Sequence, residues 1–221
     1  MRYPRTTLPE AAWCVALYNE YTHMRYIIGI DEAGRGPIAG PVAVGAVLAP
    51  EGFLVEHDYF KKRVRDSKQL SVAKRETLFE WLKKEKQLKH VVSMVGPRVV
   101  DREGISCAVH IAIVRALRRL VPDEDKSNIL VLLDGGLRAP SLYLNQATII
   151  RGDEKEPLIA LASVAAKVTR DAKMRMLSYG HPQYGFDGHK GYGTPAHFKA
   201  VKKFGLSDSH RRSFLKSILS A

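Results

Sequence analysis

Cysteine is nearly missing from this chain: Cys14 and Cys107 are the two in 221 residues. Their separation fits no zinc spacing and no disulfide framework, so a reducing compartment is expected. Apolar runs of membrane-spanning length are missing too. The stretch Ala11 to Tyr18 is broken by helical polarity and followed by Asn19 and Glu20, so no signal peptide is expected and the cytoplasm is the expected location. Internal repeats and low-complexity linkers are also lacking. Acid is short relative to base: 23 Asp and Glu stand against 35 Lys and Arg, for a net charge of +12. That imbalance points to a polyanionic partner, most simply nucleic acid. An anionic membrane surface competes, but no single basic amphipathic segment stands out as an anchor. What remains is an ordinary globular composition, 45% hydrophobic and 26% charged, long enough for one large domain with a sizeable core.

The most telling segment is Asp31-Glu32-Ala33-Gly34-Arg35-Gly36. It follows the apolar run Tyr26 to Ile30, which reads as a buried strand. Two adjacent carboxylates there are costly unless a divalent cation neutralises them. Gly34 and Gly36 let backbone amides approach a ligand, and Arg35 can clamp a phosphate or carboxylate through two parallel hydrogen bonds. The alternative is a solvated acidic turn followed by a Gly-Arg-Gly turn.

The pattern predicts a helix near Leu8 to His23, then strands near Ile27 to Asp31 and Val42 to Leu48, the second returning antiparallel through a short Gly/Pro loop. Ser71 is the expected N-cap of a helix reaching toward Lys86. A strand over Val91 to Val95 precedes the clearest helical period in the chain, Ile105 to Leu120. Its opposite face carries His110, Arg115, Arg118 and Arg119, a solvated face that could extend a duplex track. Asn128 to Leu133 reads as a strand ending in Asp134, and Ala147 to Ile150 as one ending in Arg151-Gly152-Asp153. A helix with Pro157 in its first turn runs on to about Leu177. This is a mixed α/β pattern.

Three predicted strands thus end in acid. Ligands of open α/β sheets gather beyond the carboxyl ends of strands. If the first, fourth and fifth strands are parallel neighbours, Asp31, Glu32, Asp134 and Asp153 converge. Such a set suits two Mg²⁺ or Mn²⁺ ions about 3.5–4 Å apart for phosphodiester hydrolysis. The alternatives are a turn residue before Gly-Gly for Asp134 and a helix cap for Asp153. Lys68 is a candidate phosphate contact, as are Arg170 and Lys190, against solvated or salt-paired alternatives. Asp171 reads as structural, pairing with Arg170 or Lys167. His181, His189, His197 and His210 match no zinc spacing. Trp13 and Trp81 read as helix-packing residues.

In its motifs the chain resembles the ribonuclease HII (type 2 ribonuclease H) family. The resemblance is carried by Asp31 to Pro37 with Ala39-Gly40-Pro41-Val42, Asp66-Ser67-Lys68 with Leu70, Asp134-Gly135, Gly152-Asp153 and Ala162 to Asp171. Tyr184-Gly185-Phe186, His189 to Thr194 and His210 to Phe214 continue it, so that it covers residues 26 to about 214. Arg35, where the type HIII relative usually has lysine, favours type HII. Leu161 departs from the alanine more usual in the family, and the extension through Arg25 lies outside the shared motifs.

The resemblance implies a ribonuclease H-like mixed five-stranded sheet flanked by helices, with a small helical C-terminal part. The expected layout is an extension over 1–25, a catalytic core over 26–180 and a substrate-binding segment over 181–221. It implies Asp31, Glu32, Asp134 and Asp153 as metal-binding catalytic carboxylates. It also implies a Gly34-Arg35-Gly36 grip on a ribonucleotide 2′-hydroxyl, and Tyr192 packed on the neighbouring sugar. The expected activity is metal-dependent endonucleolytic cleavage of RNA in RNA/DNA hybrids and 5′ of single ribonucleotides in duplex DNA. It would leave 3′-hydroxyl and 5′-phosphate ends, in the service of ribonucleotide excision repair and DNA replication. A monomer without membrane attachment is expected. The competing readings are a non-catalytic hybrid-binding module and a nucleotide-binding enzyme. The spacing of Gly34, Gly36 and Gly40, leading into a strand, argues against the latter.

Overall fold

The computed structural model describes residues 24–55, 70–121 and 126–216. The predicted N-terminal helix, Trp13, Cys14 and the Asp66-Ser67-Lys68 motif lie outside these residues. Five strands form one sheet: β1 (Tyr26–Ala33), β2 (Val42–Pro50), β3 (Lys89–Val95), β4 (Ile129–Asp134) and β5 (Gln146–Ile149), in the order β3-β2-β1-β4-β5. The pairs β1–β2 and β2–β3 are antiparallel, whereas β1–β4 and β4–β5 are parallel. This is the expected mixed sheet, with the first, fourth and fifth strands side by side.

The helices are α1 (Val72–Lys84), α2 (Pro97–Glu103), α3 (Ile105–Leu120), α4 (Gly152–Lys155), α5 (Pro157–Gly180), α6 (Phe186–His189) and α7 (Pro195–Phe204). Ser71 caps α1 as expected, its hydroxyl accepting from the Lys74 amide at 3.3 Å. The one-turn α4 and the short α2 differ from expectation. β5 ends at Ile149, and Arg151, in the left-handed region at φ 56°, turns the chain so that Asp153 falls inside α4 and not on a strand end. Gly96 and Pro97 start α2 without any apolar period long enough to announce it.

Alternation along the strands divides the core in two. Ile28, Ile30, Val131 and Leu133 face α3, whose Ala112, Ile113, Ala116 and Leu117 are buried on them. Ile27, Val47, Leu130 and Leu132 face α1 and α5. On that second face two glycines admit α5 at close range. A Cβ on Gly29 would lie 2.3 Å from the Leu158 carbonyl carbon, and one on Gly45 would lie 2.1 Å from the Ala162 oxygen. Gly45 is the cross-strand partner of Asp31, so the close approach also brings the next helical residue, Ser163, to Asp31.

A third apolar group, including Met174, Tyr184, Phe186 and Val201, seats residues 181–216 against the end of α5. The same segment grips the β1–β2 loop. Ile38 and Ala39 donate to Gly191 O, Gly40 donates to Ser209 O, and Arg211 donates to Ile38 O. The four histidines of this segment gather here: His197 Nε2 meets His210 Nε2 at 3.1 Å, and the His189 ring stacks on His197. The bonding fixes their tautomers. His210 Nδ1 accepts from the Ser207 amide, so its Nε2–H donates to His197 Nε2, and His197 Nδ1–H then donates to Tyr192 O. His189 Nδ1 accepts from Gly191 N, leaving Nε2–H for Tyr184 O. Every ring nitrogen of these three is thus engaged within the protein.

Candidate active site

Asp31, Glu32, Asp134 and Asp153 line one cleft of about 440 Å³, together with Gly34, Arg75, Ser163, Lys167 and Tyr192. β1 supplies Asp31 and Glu32, β4 ends on Asp134, and α4 carries Asp153. Asp31 and Asp153 are 6% and 2% exposed, so two carboxylates are buried in a site that also holds two more. Asp31 accepts from the Glu32 amide at 2.7 Å, and Asp134 Oδ1 accepts from the Gly152 amide at 2.6 Å. The second bond ties the end of β4 to the turn that presents Asp153.

Burial pushes the Asp31 carboxyl up to about 8, and the charges of Asp134 and Glu32 push the same way, against the Ser163 hydroxyl bonded to it. Burial also raises Glu32; Arg35, 3.5 Å away, opposes the rise. Among the described residues the acids are gathered along the cleft without closing into a ready ligand sphere. The donor set is nonetheless that of a hard divalent cation: carboxylate oxygens, partly desolvated, with Asp134 and Glu32 near enough to raise Asp31. Mg²⁺ or Mn²⁺ fits these residues.

The substrate-side residues divide. Gly34 and Tyr192 line the cleft, Tyr192 remaining 45% exposed. Arg35 and Gly36 are exposed next to Gly34. Lys68 lies outside the described residues. Lys190 does not line the cleft; its Nζ turns back to the Asp187 carbonyl of its own turn. Arg170 corrects the expectation of a phosphate contact. It is fully buried, with Nε donating to Pro41 O at 2.9 Å and Nη2 to Ala39 O at 3.3 Å, and no phosphate could reach it. Asp171 pairs with Lys167 at 2.9 Å, as expected.

Three cleft residues were not singled out by sequence reasoning. Ser163 and Lys167 stand four apart on α5, one helical turn, and their polarity within an alanine-rich stretch was the available signal. The Lys167 ammonium also lies 6.0 Å from the Tyr192 ring centre. Arg75 on α1 gave no signal, because only the docking of α1 beside α5 brings it to the cleft.

A mixed sheet of this order, with acids gathered from β1, the end of β4 and the helical turn after β5, defines a ribonuclease H-like phosphodiester hydrolase. The ribonuclease HII family model matches residues 28–217, and the chain belongs to that family; it is an endoribonuclease. It is 44% identical to the ribonuclease HII of Ruminiclostridium cellulolyticum over 194 residues, 88% of this chain and 71% of that one. It is likewise 44% identical to that of Caldicellulosiruptor bescii over 196 residues, 89% of each. Among solved structures, the PCNA:RNase HII complex from Archaeoglobus fulgidus aligns with a TM-score of 0.66 at 26% identity, covering 84% of this chain and 93% of that one. Bst-RNase HIII in complex with Mn²⁺ aligns with a TM-score of 0.62, covering 100% of this chain and 77% of that one; at 15% identity it shows likeness of fold alone.

Proposed function

We propose that this protein hydrolyses the RNA strand of RNA/DNA hybrids and cuts 5′ of single ribonucleotides embedded in duplex DNA. The observation that carries this reading is the placement of four carboxylates, the Gly34 backbone and Tyr192 around one cleft. Two divalent cations, Mg²⁺ or Mn²⁺, held by Asp31, Glu32, Asp134 and Asp153 would lower the pKa of a water and neutralise charge on the phosphate. The O–P bond to water forms as the P–O3′ bond breaks, leaving 3′-hydroxyl and 5′-phosphate ends.

The protein's part is positioning. Ser163 and the Glu32 amide orient Asp31. The Gly152 amide orients Asp134. Lys167, and Lys68 outside the described residues, supply positive charge for the backbone of the bound strand. The Gly34-Arg35-Gly36 backbone meets the 2′-hydroxyl, the group that distinguishes RNA from DNA, while Tyr192 packs on the adjoining sugar. The segment from 181 onward serves as the substrate-binding part, since it holds Tyr192. In this reading the protein acts as a monomer. Because the glycine loop leads into β2 and not into a helix, a nucleotide phosphate would find no helix N-terminus there.

The test is cleavage of end-labelled duplex DNA carrying one ribonucleotide, with Mg²⁺, Mn²⁺ or EDTA. Metal-dependent cutting 5′ of the ribonucleotide, lost in Asp134→Asn, is the expected result. Cutting of long hybrids alone would remove the single-ribonucleotide reading. Tight binding with no cutting of either substrate would leave a non-catalytic hybrid-binding module.

A further inference from the structure

Arg170 and Arg211 are both fully buried, and neither has a carboxylate at ion-pair distance among the described residues. Buried guanidinium groups are costly unless their donors are satisfied. Here the acceptors are backbone carbonyls of one loop, and among the described residues Arg170 Nη1 is buried without an acceptor. Arg211 donates from Nη2 to Gly34 O at 2.7 Å, from Nη1 to Arg35 O at 2.8 Å and from Nε to Gly40 O at 3.0 Å. Arg170 donates to Pro41 O and Ala39 O. Two cations therefore hold five carbonyls between residues 34 and 41. The fit is close: a Cβ on Gly34, whose φ is +88°, would lie 2.0 Å from Arg170 Nε.

This arrangement has a consequence for the opposite side of the loop. In a trans peptide the C=O and the following N–H point in opposite directions, and the described residues contain no cis peptide. With the carbonyls of Gly34 and Arg35 drawn inward to Arg211, the amides of Arg35 and Gly36 must point away from it. Both residues are exposed beside the acid-lined cleft. Two successive outward amides form a concave donor pair suited to an electron-rich oxygen. Only the planar arginine fork can engage two adjacent carbonyls and a third through Nε; a lysine ammonium could not reach all three.

We propose that Arg211, supported by Arg170, is a positioning residue for sugar discrimination: by fixing the Gly34 and Arg35 carbonyls inward it aims the Arg35 and Gly36 amides at the ribonucleotide 2′-hydroxyl. This rests on the reading that the glycine-flanked loop meets that hydroxyl. Arg211 itself touches no substrate. It belongs to the C-terminal segment, so that segment controls specificity through the loop it clamps.

The test uses the full chain with Mg²⁺ and measures two quantities: kcat/KM on a duplex with one ribonucleotide, and Ki of the all-deoxy duplex as competitor. Arg211→Lys keeps the charge but not the fork; Arg211→Met removes every donor. The expected result is a loss of tenfold or more in kcat/KM for Arg211→Met and a smaller loss for Arg211→Lys, with Ki for the all-deoxy duplex within threefold of the original. A Ki that rises in step with the loss, or an unchanged kcat/KM, would overturn the proposal and leave Arg211 a core strut. Should Arg211→Met not fold, Arg211→Lys decides the same question. If the unmodified protein binds both duplexes equally, the 2′-hydroxyl reading fails at once, separately from the clamp.

Discussion

At Asp31 folding and chemistry make opposite demands. The carboxyl is buried beside Asp134 and Glu32, so in the absence of a cation it holds a proton well above the usual carboxylate range, to about 8. Asp31→Asn removes that cost. The variant should unfold in EDTA at pH 7.5 roughly 5 °C above the unmodified protein, a gain on the order of 2 kcal/mol. Its cleavage rate should fall by roughly a thousandfold, and Mg²⁺ should stabilise it far less than it stabilises the unmodified protein. Thermal melts with and without the metal check all three parts together with a cleavage assay. A variant less stable than the parent in EDTA would show that Asp31 is held for packing, not for a cation. At this scale much was legible in the sequence. Adjacent acids after an apolar run announce a metal-type site, whereas Arg170 and Lys190 resembled surface cations because sequence does not show where a long side chain ends.

Among the elements, α5 does most to build the site. It crosses the sheet so closely that Gly29 and Gly45 leave no room for a methyl group, and that contact sets Ser163 on Asp31 and Lys167 beside Tyr192. Gly45→Ala would press a Cβ to 2.1 Å from the Ala162 carbonyl oxygen. It should lower stability by about 2–3 kcal/mol in urea titrations and reduce kcat in the protein that remains folded, as Ser163 is displaced. Gly180→Ala, at the open end of the same helix, meets nothing within 4 Å and should be neutral or stabilising by a few tenths of a kcal/mol. Equal effects from the two would show that close approach of α5 is not what Gly45 provides. The long helices and the five strands were readable from period and alternation. α4 was not, because one turn of helix carries no period, and Asp153 consequently read as a strand end.

For the molecule as a whole, two buried groups oppose each other in pH. Burial, and then the neighbouring His197, lower His210 to about 4, and burial lowers His197 as well. Unfolded histidine takes up its proton near 6.5, so between 6.5 and 4 the unfolded chain binds more protons. This contribution to stability is complete above 6.5 and fades as pH falls, by up to about 1.4 kcal/mol per pH unit for His210. Asp31 works in the other direction. Its contribution is complete below 3.8 and fades as pH rises toward 8. Metal-free protein should therefore vary little in stability between pH 4 and 6.5, where the two slopes oppose, and lose stability from there toward pH 8, and a divalent cation should lift the alkaline side alone. Melting temperatures from pH 4 to 9, with EDTA or Mg²⁺, test this; a profile in EDTA that climbs steadily to pH 9 would contradict the Asp31 half, and one that keeps climbing as pH falls from 6.5 to 4 the histidine half. Among the described residues no helix is long and apolar enough to cross a membrane.

Sequence by itself determined the five strands, the long helices, the mixed α/β class, the excess of basic residues and the four acids, because each depends on local period, composition or on short motifs read in order. Tertiary structure alone decided which cations face the cleft and which face inward. Lys167 and Arg170 are three residues apart on one helix, yet the first lines the cleft and the second lies fully buried under the Gly34 loop. The return of residues 181–216 onto that loop, over more than 140 positions of chain, creates the Arg211 clamp. No local rule encodes it, since it arises from the packing of distant segments.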